Sequence, residues 1–185
     1  MTSPKYLVDT NVILSRMNHR GYDEIAFPIY WENFDKLVDE GTIISTTKVN
    51  EEIINLIEEQ KVDNEILTWV NDHEHIFKLP PDKQYTILST SIQNKFPGWY
   101  SKNKSKADFT LVVYAKAYNL ILVTQETANF SQSKDKKFNI PTTCKHLGAY
   151  CRNGLEVTSK VDPNQTQFQC IDFVELVKRE KLNQK

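Results

Sequence analysis

The sequence predicts an α/β fold in which a central, mostly parallel β-sheet is flanked by helices. Short apolar runs rich in β-favouring residues recur along the chain, beginning with "KYLV" at Lys5 to Val8. Between them lie longer stretches whose apolar residues repeat at helical spacing. Strands that alternate with helices in this way pair in parallel and are covered on both faces.

Each element has its own warrant. After Lys5 to Val8, the residues Val12, Ile13 and Met17 start a helix. "FPIYWENFDKLVDEG" sets Ile29, Tyr30, Phe34, Leu37 and Val38 on one helical face, and Gly41 closes it as a C-cap. "TIIS", Thr42 to Ser45, reads as a second strand. "TTKVNEEIINLIEEQ" lines Val49, Ile53, Leu56 and Ile57 along one side of a helix. A helix fits Asn64 to Asn71, "IFKLPP" reads as extended, and Gln84 to Lys95 is helical with Ile87, Leu88 and Ile92 inward. "FPGWYSKNKSK" reads as the clearest loop. "SKADFTLVVYAKAYN" follows as a helix, with the capping-box pattern Ser105–Asp108 and an inward stripe of Ala107, Leu111, Ala115 and Tyr118. "LILVT", Leu120 to Thr124, is the strongest strand signal. A polar loop leads to "IPTTCKHLG", a short helix with Pro141 near its first turn. A polar insert, Thr158 to Gln167, precedes "CIDFVELVKREK", a strand running into a terminal helix. The length predicts a single domain over 1–185.

Composition narrows the function classes. Hydrophobic residues make up 39% and charged residues 25%, as in an ordinary globular protein. No apolar run has the length of about 18 residues that a membrane helix needs, and no signal peptide precedes Asp9, so the expectation is a cytoplasmic protein without a membrane partner. Three cysteines, Cys144, Cys151 and Cys170, form no CxxC pair and argue against a disulfide framework. "HEH" at His73 to His75 and "CKH" at Cys144 to His146 match no zinc-finger spacing. A net charge of −1 excludes the global basic footprint of a tight nucleic-acid binder. Contact with phosphate then falls to local patches or to metal.

The acids are the informative residues. "KYLVDTNVIL" puts Asp9, Thr10 and Asn11 inside the most apolar N-terminal segment, where an unpaired carboxylate costs several kcal/mol. Asp9 falls at the carboxyl end of the first strand and Glu126 just beyond the strand Leu120 to Thr124. Open parallel sheets bind their ligands at that edge. At about 100° per residue, Glu52 lies beside the stripe of Val49, Ile53 and Leu56, while Glu51 points away to solvent. Asp108 sits in the first turn of its helix, where the helix dipole favours an anion. Each acid also has a plain structural explanation: Asp9 as a helix cap, Asp108 in its capping box, Glu52 as a snorkelling surface acid and Glu126 as a turn residue. Four carboxylates meeting at one edge would repel by about 4 kcal/mol per pair at a separation of about 4 Å. The sequence shows no fixed cation to oppose them. Mg²⁺ or Mn²⁺ would, and such ions polarise phosphoryl oxygens and activate water.

These residues resemble the PIN-domain nucleases. "YLVDTNVIL" is similar to that family's first strand with its terminal metal-binding Asp, "KVNEEI" to its second acidic motif, "SKADFTLVVYAKA" to its third and "LILVTQE" to its fourth. "FNIPTTCKHLGAYC" resembles a segment of a bacterial subgroup related to the VapC-type toxins of toxin–antitoxin modules. The resemblance covers about 5–150 and implies a three-layer PIN-like fold. It further implies a divalent-metal-dependent endoribonuclease. Asp9, Glu52, Asp108 and Glu126 would be metal ligands, Asn11 would orient Asp9, and Thr124 would stand at the strand end beside them. The family commonly carries Asp where this chain has Glu126, and the insert has no counterpart there. VapC-type proteins are held inactive by an antitoxin protein and often form a homodimer, so the resemblance implies those partners as well. Single-stranded RNA is the expected substrate, with Trp99, Tyr100, Lys102, Lys104 and Lys106 guiding it. A catalytically inactive RNA- or protein-binding module is the alternative. A phosphoryl-transfer domain with Asp9 as acceptor fits less well, because the haloacid pattern wants a second Asp where Asn11 stands.

Overall fold

The computed structural model describes residues 3–17, 21–80, 82–104, 106–154, 156–158, 161–162, 166 and 168–184. In chain order its elements are β1 (Tyr6–Val8), α1 (Thr10–Leu14), α2 (Pro28–Asp39), β2 (Ile43–Thr46), α3 (Thr47–Glu58), α4 (Ile66–Asp72) and β3 (Phe77–Lys78). Then come α5 (Asp82–Lys95), α6 (Pro97–Asn103), α7 (Ala107–Tyr118), β4 (Ile121–Val123) and α8 (Ile140–His146). The chain closes with β5 (Tyr150–Asn153), β6 (Glu156–Val157), β7 (Gln169–Ile171) and α9 (Phe173–Glu180).

Among the described residues the strands form one seven-stranded sheet in the order β3-β2-β1-β4-β7-β5-β6. All neighbours run parallel except β5 and β6, which pair antiparallel at one edge. Tyr6, Leu7 and Val8 are all fully buried, as a strand covered on both faces requires. This is a three-layer α/β fold of the kind the PIN resemblance implies. No described helix is long and apolar enough to cross a membrane.

The strand order fixes where a site can form. β2 lies on one side of β1 and β4 on the other, in the registers Tyr6↔Ile43 and Tyr6↔Ile121. The connections therefore reverse direction at β1 and β4, and a crevice opens beyond their carboxyl ends. α7 feeds β4 and runs antiparallel to it, which brings its first turn to that crevice. α3 leaves β2 at the same edge, capped by Thr46, whose Oγ1 accepts from the Val49 amide.

α7 touches β1, β2 and β4 and is surrounded by α3, α5, α6 and α8. It is accordingly buried nearly all round, through Phe109, Val112, Val113, Tyr114 and Ala117 as well as Ala107, Leu111 and Ala115, so the expected single stripe is too narrow. A second, aromatic group joins α2, α4 and α9. Trp31 stacks on Phe173 at 5.0 Å, and Phe34 meets Trp69. Arg16 threads into this group. Its guanidinium lies 5.0 Å from the Trp31 ring and 4.8 Å from the Trp69 ring, and it donates two bonds each to Glu24 and Asp35.

Several expectations need correction. "FPGWYSKNKSK" is not an open loop, because Pro97 opens helix α6 at a first-turn position that needs no amide donor. The Gly98 amide donates to Asp135 Oδ2 at 2.7 Å, and a β-carbon at that glycine would stand 2.8 Å from Asp135 Oδ1. The inward face of α5 is Tyr85, Leu88 and Ile92, whereas Ile87 is 67% exposed. Strands β5 and β6 were not expected; β5 is too short and mixed to give a clear period. Ser105, the first residue of the expected capping box, lies outside the described residues, as do 159–160, 163–165 and 167 of the expected insert. The N-cap of α7 is Lys106, which makes no side-chain capping bond.

Candidate acidic site

Asp9 leaves the end of β1 and caps α1, its Oδ1 accepting from the Thr10 amide at 2.7 Å. The cap and the site are therefore the same residue, and its second oxygen is free to do other work. Asp9 Oδ2 accepts from the Thr124 hydroxyl at 2.7 Å. Thr124 is fully buried, at the end of β4. Its oxygen also accepts from Asn11 Nδ2 at 3.2 Å and from the Glu126 amide at 3.2 Å. A hydroxyl has one proton and two lone pairs, so these bonds leave Thr124 only the donor role towards Asp9. Both oxygens of Asp9 thus meet donors, the surroundings of an ionised carboxylate.

Among the described residues Asn11 makes no side-chain hydrogen bond to Asp9. It locks Thr124 with its amide nitrogen, and its Oδ1 accepts from the Gln125 amide at 2.8 Å. The orienting role expected of Asn11 runs through Thr124. Thr10, noted from sequence only as a polar residue in an apolar segment, ties the second acid in: its hydroxyl donates to Glu52 Oε2 at 2.5 Å. Glu51 points away as expected, exposed and paired with Lys48. Glu126 Oε2 accepts from the Ile140 amide at 2.7 Å, which anchors the fourth acid at the start of α8.

The four acids act on one another electrostatically. Burial, then the charges of Asp108 and Glu126, and in smaller part that of Glu52, hold the Asp9 carboxyl well above the usual range against the Thr124 bond that favours its ionised form. Burial likewise raises Glu52, with Asp108 adding to the rise and the Thr10 bond opposing it. Glu126 is pushed up to about 7 by burial and then by Asp108, against the Ile140 amide that favours its ionised form. Asp108 is raised by burial, with Lys106 and Lys102 pulling the other way. These two lysines offset part of the acids' charge, but neither forms a salt bridge with an acid among the described residues. Lys106 sits at the start of α7, and Lys102 is presented by α6 once "FPGWYSKN" folds as a helix.

The residues expected to guide RNA divide. Lys102, Lys104 and Lys106 are exposed. Trp99 is fully buried and packs at 5.9 Å from Phe109, so it belongs to the core and offers no stacking face. Tyr100 is half-buried, edge-on to Phe109 at 5.0 Å. Helical spacing turned the aromatics inward and the lysines outward.

The donor set suits a hard divalent ion: oxygen atoms only, mutually repelling, and buried enough to be weakly screened. Among the described residues no three His, Cys, Asp or Glu side chains are gathered closely enough to grip an ion directly. Mg²⁺ commonly keeps several waters and takes only one or two carboxylates, and a spread set of this kind is compatible with that habit.

No curated protein and no solved structure matches the chain. A family model does match, over residues 6–165, a span that holds Asp9, Glu52, Asp108 and Glu126 together with the strands that carry Asp9 and Thr124. The chain belongs to the family described as a domain of unknown function, DUF4411.

Proposed function

We propose that the chain is a divalent-metal-dependent endoribonuclease that hydrolyses RNA phosphodiester bonds, with Asp9, Glu52, Asp108 and Glu126 holding Mg²⁺ or Mn²⁺. The observation that carries this reading is the hydrogen-bonded set at the ends of β1 and β4, in which Thr10 holds Glu52, Thr124 holds Asp9 and accepts from the Glu126 amide, with Asp108 in the first turn of α7. A divalent ion held there supplies charge for a phosphoryl oxygen and acidifies the attacking water. Thr124 and Asn11 keep Asp9 in one orientation. Lys102 and Lys106 offset negative charge at the rim, where the phosphates of a flexible single strand would pass. In the cell this reading makes the chain the toxin of a toxin–antitoxin module, on the strength of its VapC resemblance.

The test is incubation of the purified protein with single-stranded RNA and Mn²⁺, with EDTA, Asp9→Asn and Asp108→Asn as controls. Cleavage that needs the metal and both carboxylates is expected. Variants that cleave as fast as wild type would overturn the assignment. The spread of the carboxylates favours a second reading, a catalytically inactive RNA- or protein-binding module. RNA retained but never cut under these conditions would select it.

A further inference from the structure

A groove of about 420 Å³ opens where the C-terminal ends of α5 and α8 meet the segment that follows β4. Three lysines, Lys95, Lys134 and Lys136, stand on its wall against one acid, Asp135. Phe96 and Phe138 also line it, but both are buried and meet edge-on at 5.7 Å, and His146 stacks on Phe138 at 4.6 Å. The rings therefore hold α5, α8 and the segment together.

The acid of this groove is already committed. Asp135 Oδ2 accepts from the Gly98 amide at 2.7 Å and Oδ1 from the Lys136 amide at 2.8 Å, so both oxygens meet backbone donors. The lysines are not. Lys134 and Lys136 are exposed and enter no salt bridge among the described residues. Lys95 Nζ donates to the His146 carbonyl at 3.0 Å, and an ammonium has three donors, so it keeps capacity for another acceptor. A chain with a net charge of −1 thus gathers a local excess of positive charge here.

The position of the groove gives that charge a use. Helix α8 starts where the Ile140 amide holds Glu126, and it ends at His146 on the groove wall. At about 1.5 Å per residue those two ends lie roughly 9 Å apart. A stacked single strand covers that distance in about three nucleotides, at about 3.4 Å each. Point charges with no free aromatic face suit a phosphate backbone, which they position without reading its sequence. We propose that the groove holds phosphates of the RNA strand about three nucleotides from the bond at the acids, with Lys95, Lys134 and Lys136 as the contacts. The inference rests on the ribonuclease reading for the strand's place at the acids, but binding in the groove can be measured without cleavage.

A fluorescein-labelled single-stranded RNA of about ten nucleotides is titrated with protein in EDTA and followed by anisotropy, at several salt concentrations between about 50 and 200 mM. Lys134→Gln/Lys136→Gln changes exposed side chains only, and an unaltered thermal midpoint checks its fold. It should bind about tenfold more weakly at the lowest salt, with a salt slope smaller by about 1.4, the value for two phosphate contacts on a single strand. Lys36→Gln/Lys178→Gln removes the same charge outside the groove and should leave affinity and slope unchanged. An unchanged slope in the groove variant, or equal losses in both variants, overturns the proposal. So does competition by polyglutamate as effective as that of unlabelled RNA of equal charge, which would make the groove a seat for an acidic protein. If the groove variant loses RNA while wild type never cuts it with Mn²⁺, the groove stands and the nuclease reading falls. If both chains cut RNA with Mn²⁺ and bind it alike, the nuclease reading stands and the groove falls.

Discussion

Replacing Glu126 by glutamine in metal-free protein tests the electrostatics of the site directly. Glu126 has a folded-state pKa of about 7 against an ordinary value of 4.5. Between those two pH values the folded chain holds a proton that the unfolded chain has lost. Stability is therefore greatest below about pH 4.5 and falls as pH rises through 7. A shift of this size corresponds to about 3 kcal/mol. Glutamine keeps an acceptor for the Ile140 amide and never ionises, so Glu126→Gln should lack this part of the decline. Urea unfolding in EDTA at pH 4.5 and pH 8 measures it. Wild type should lose about 2–3 kcal/mol more than the variant over that interval. Saturating Mn²⁺ should return most of that loss to wild type at pH 8, since a ligand that binds only the folded state stabilises it. Parallel pH profiles for the two chains would refute the reasoning.

Other expectations follow from the packing. Trp99→Ala should cost about 3–5 kcal/mol in urea unfolding, the range for deleting a buried aromatic; an unchanged midpoint would return Trp99 to the surface. Arg16→Met leaves Asp35 and Glu24 facing two indoles without their cation, and should cost about 2–4 kcal/mol by the same measurement. Asn153→Leu, close in volume and without polar atoms, should raise the thermal midpoint, corresponding to about 1 kcal/mol or more, because an orphaned buried amide is removed. A lowered midpoint would mean that Asn153 has a partner in the folded chain.

Much of the fold was legible because the decisive signals are local. Val8 followed by Asp9 marks a strand that stops at a polar group, and Gly41, with a φ of 75°, marks the end of α2 as its spacing implied. Glu52 separated from Glu51 by helical geometry alone. The signals that failed depend on what packs across the element. In α6, Pro and Gly normally announce a loop, but Pro97 sits where a helix begins and Gly98 is pinned by Asp135, 37 residues away in sequence. Ile87 has the right period to face inward, and only the position of α7 shows that Tyr85 and Leu88 take that face instead. Lys102 and Lys106 read as part of a loop, and only the fold shows that α6 and the start of α7 bring their charge to bear on Asp108. Asn153 left no local trace at all, because an unpaired amide is visible only once its surroundings are known.

The claim beneath all of this is that Asp9, Glu52, Asp108 and Glu126 share one crevice that is poorly tolerated without a divalent cation. Calorimetric titration of EDTA-treated protein with Mn²⁺ at pH 8 addresses it most directly, with Asp9→Asn measured alongside. Saturable binding in wild type that disappears in Asp9→Asn is the expected result. Absence of saturable binding in wild type, or equal binding by the variant, would contradict it.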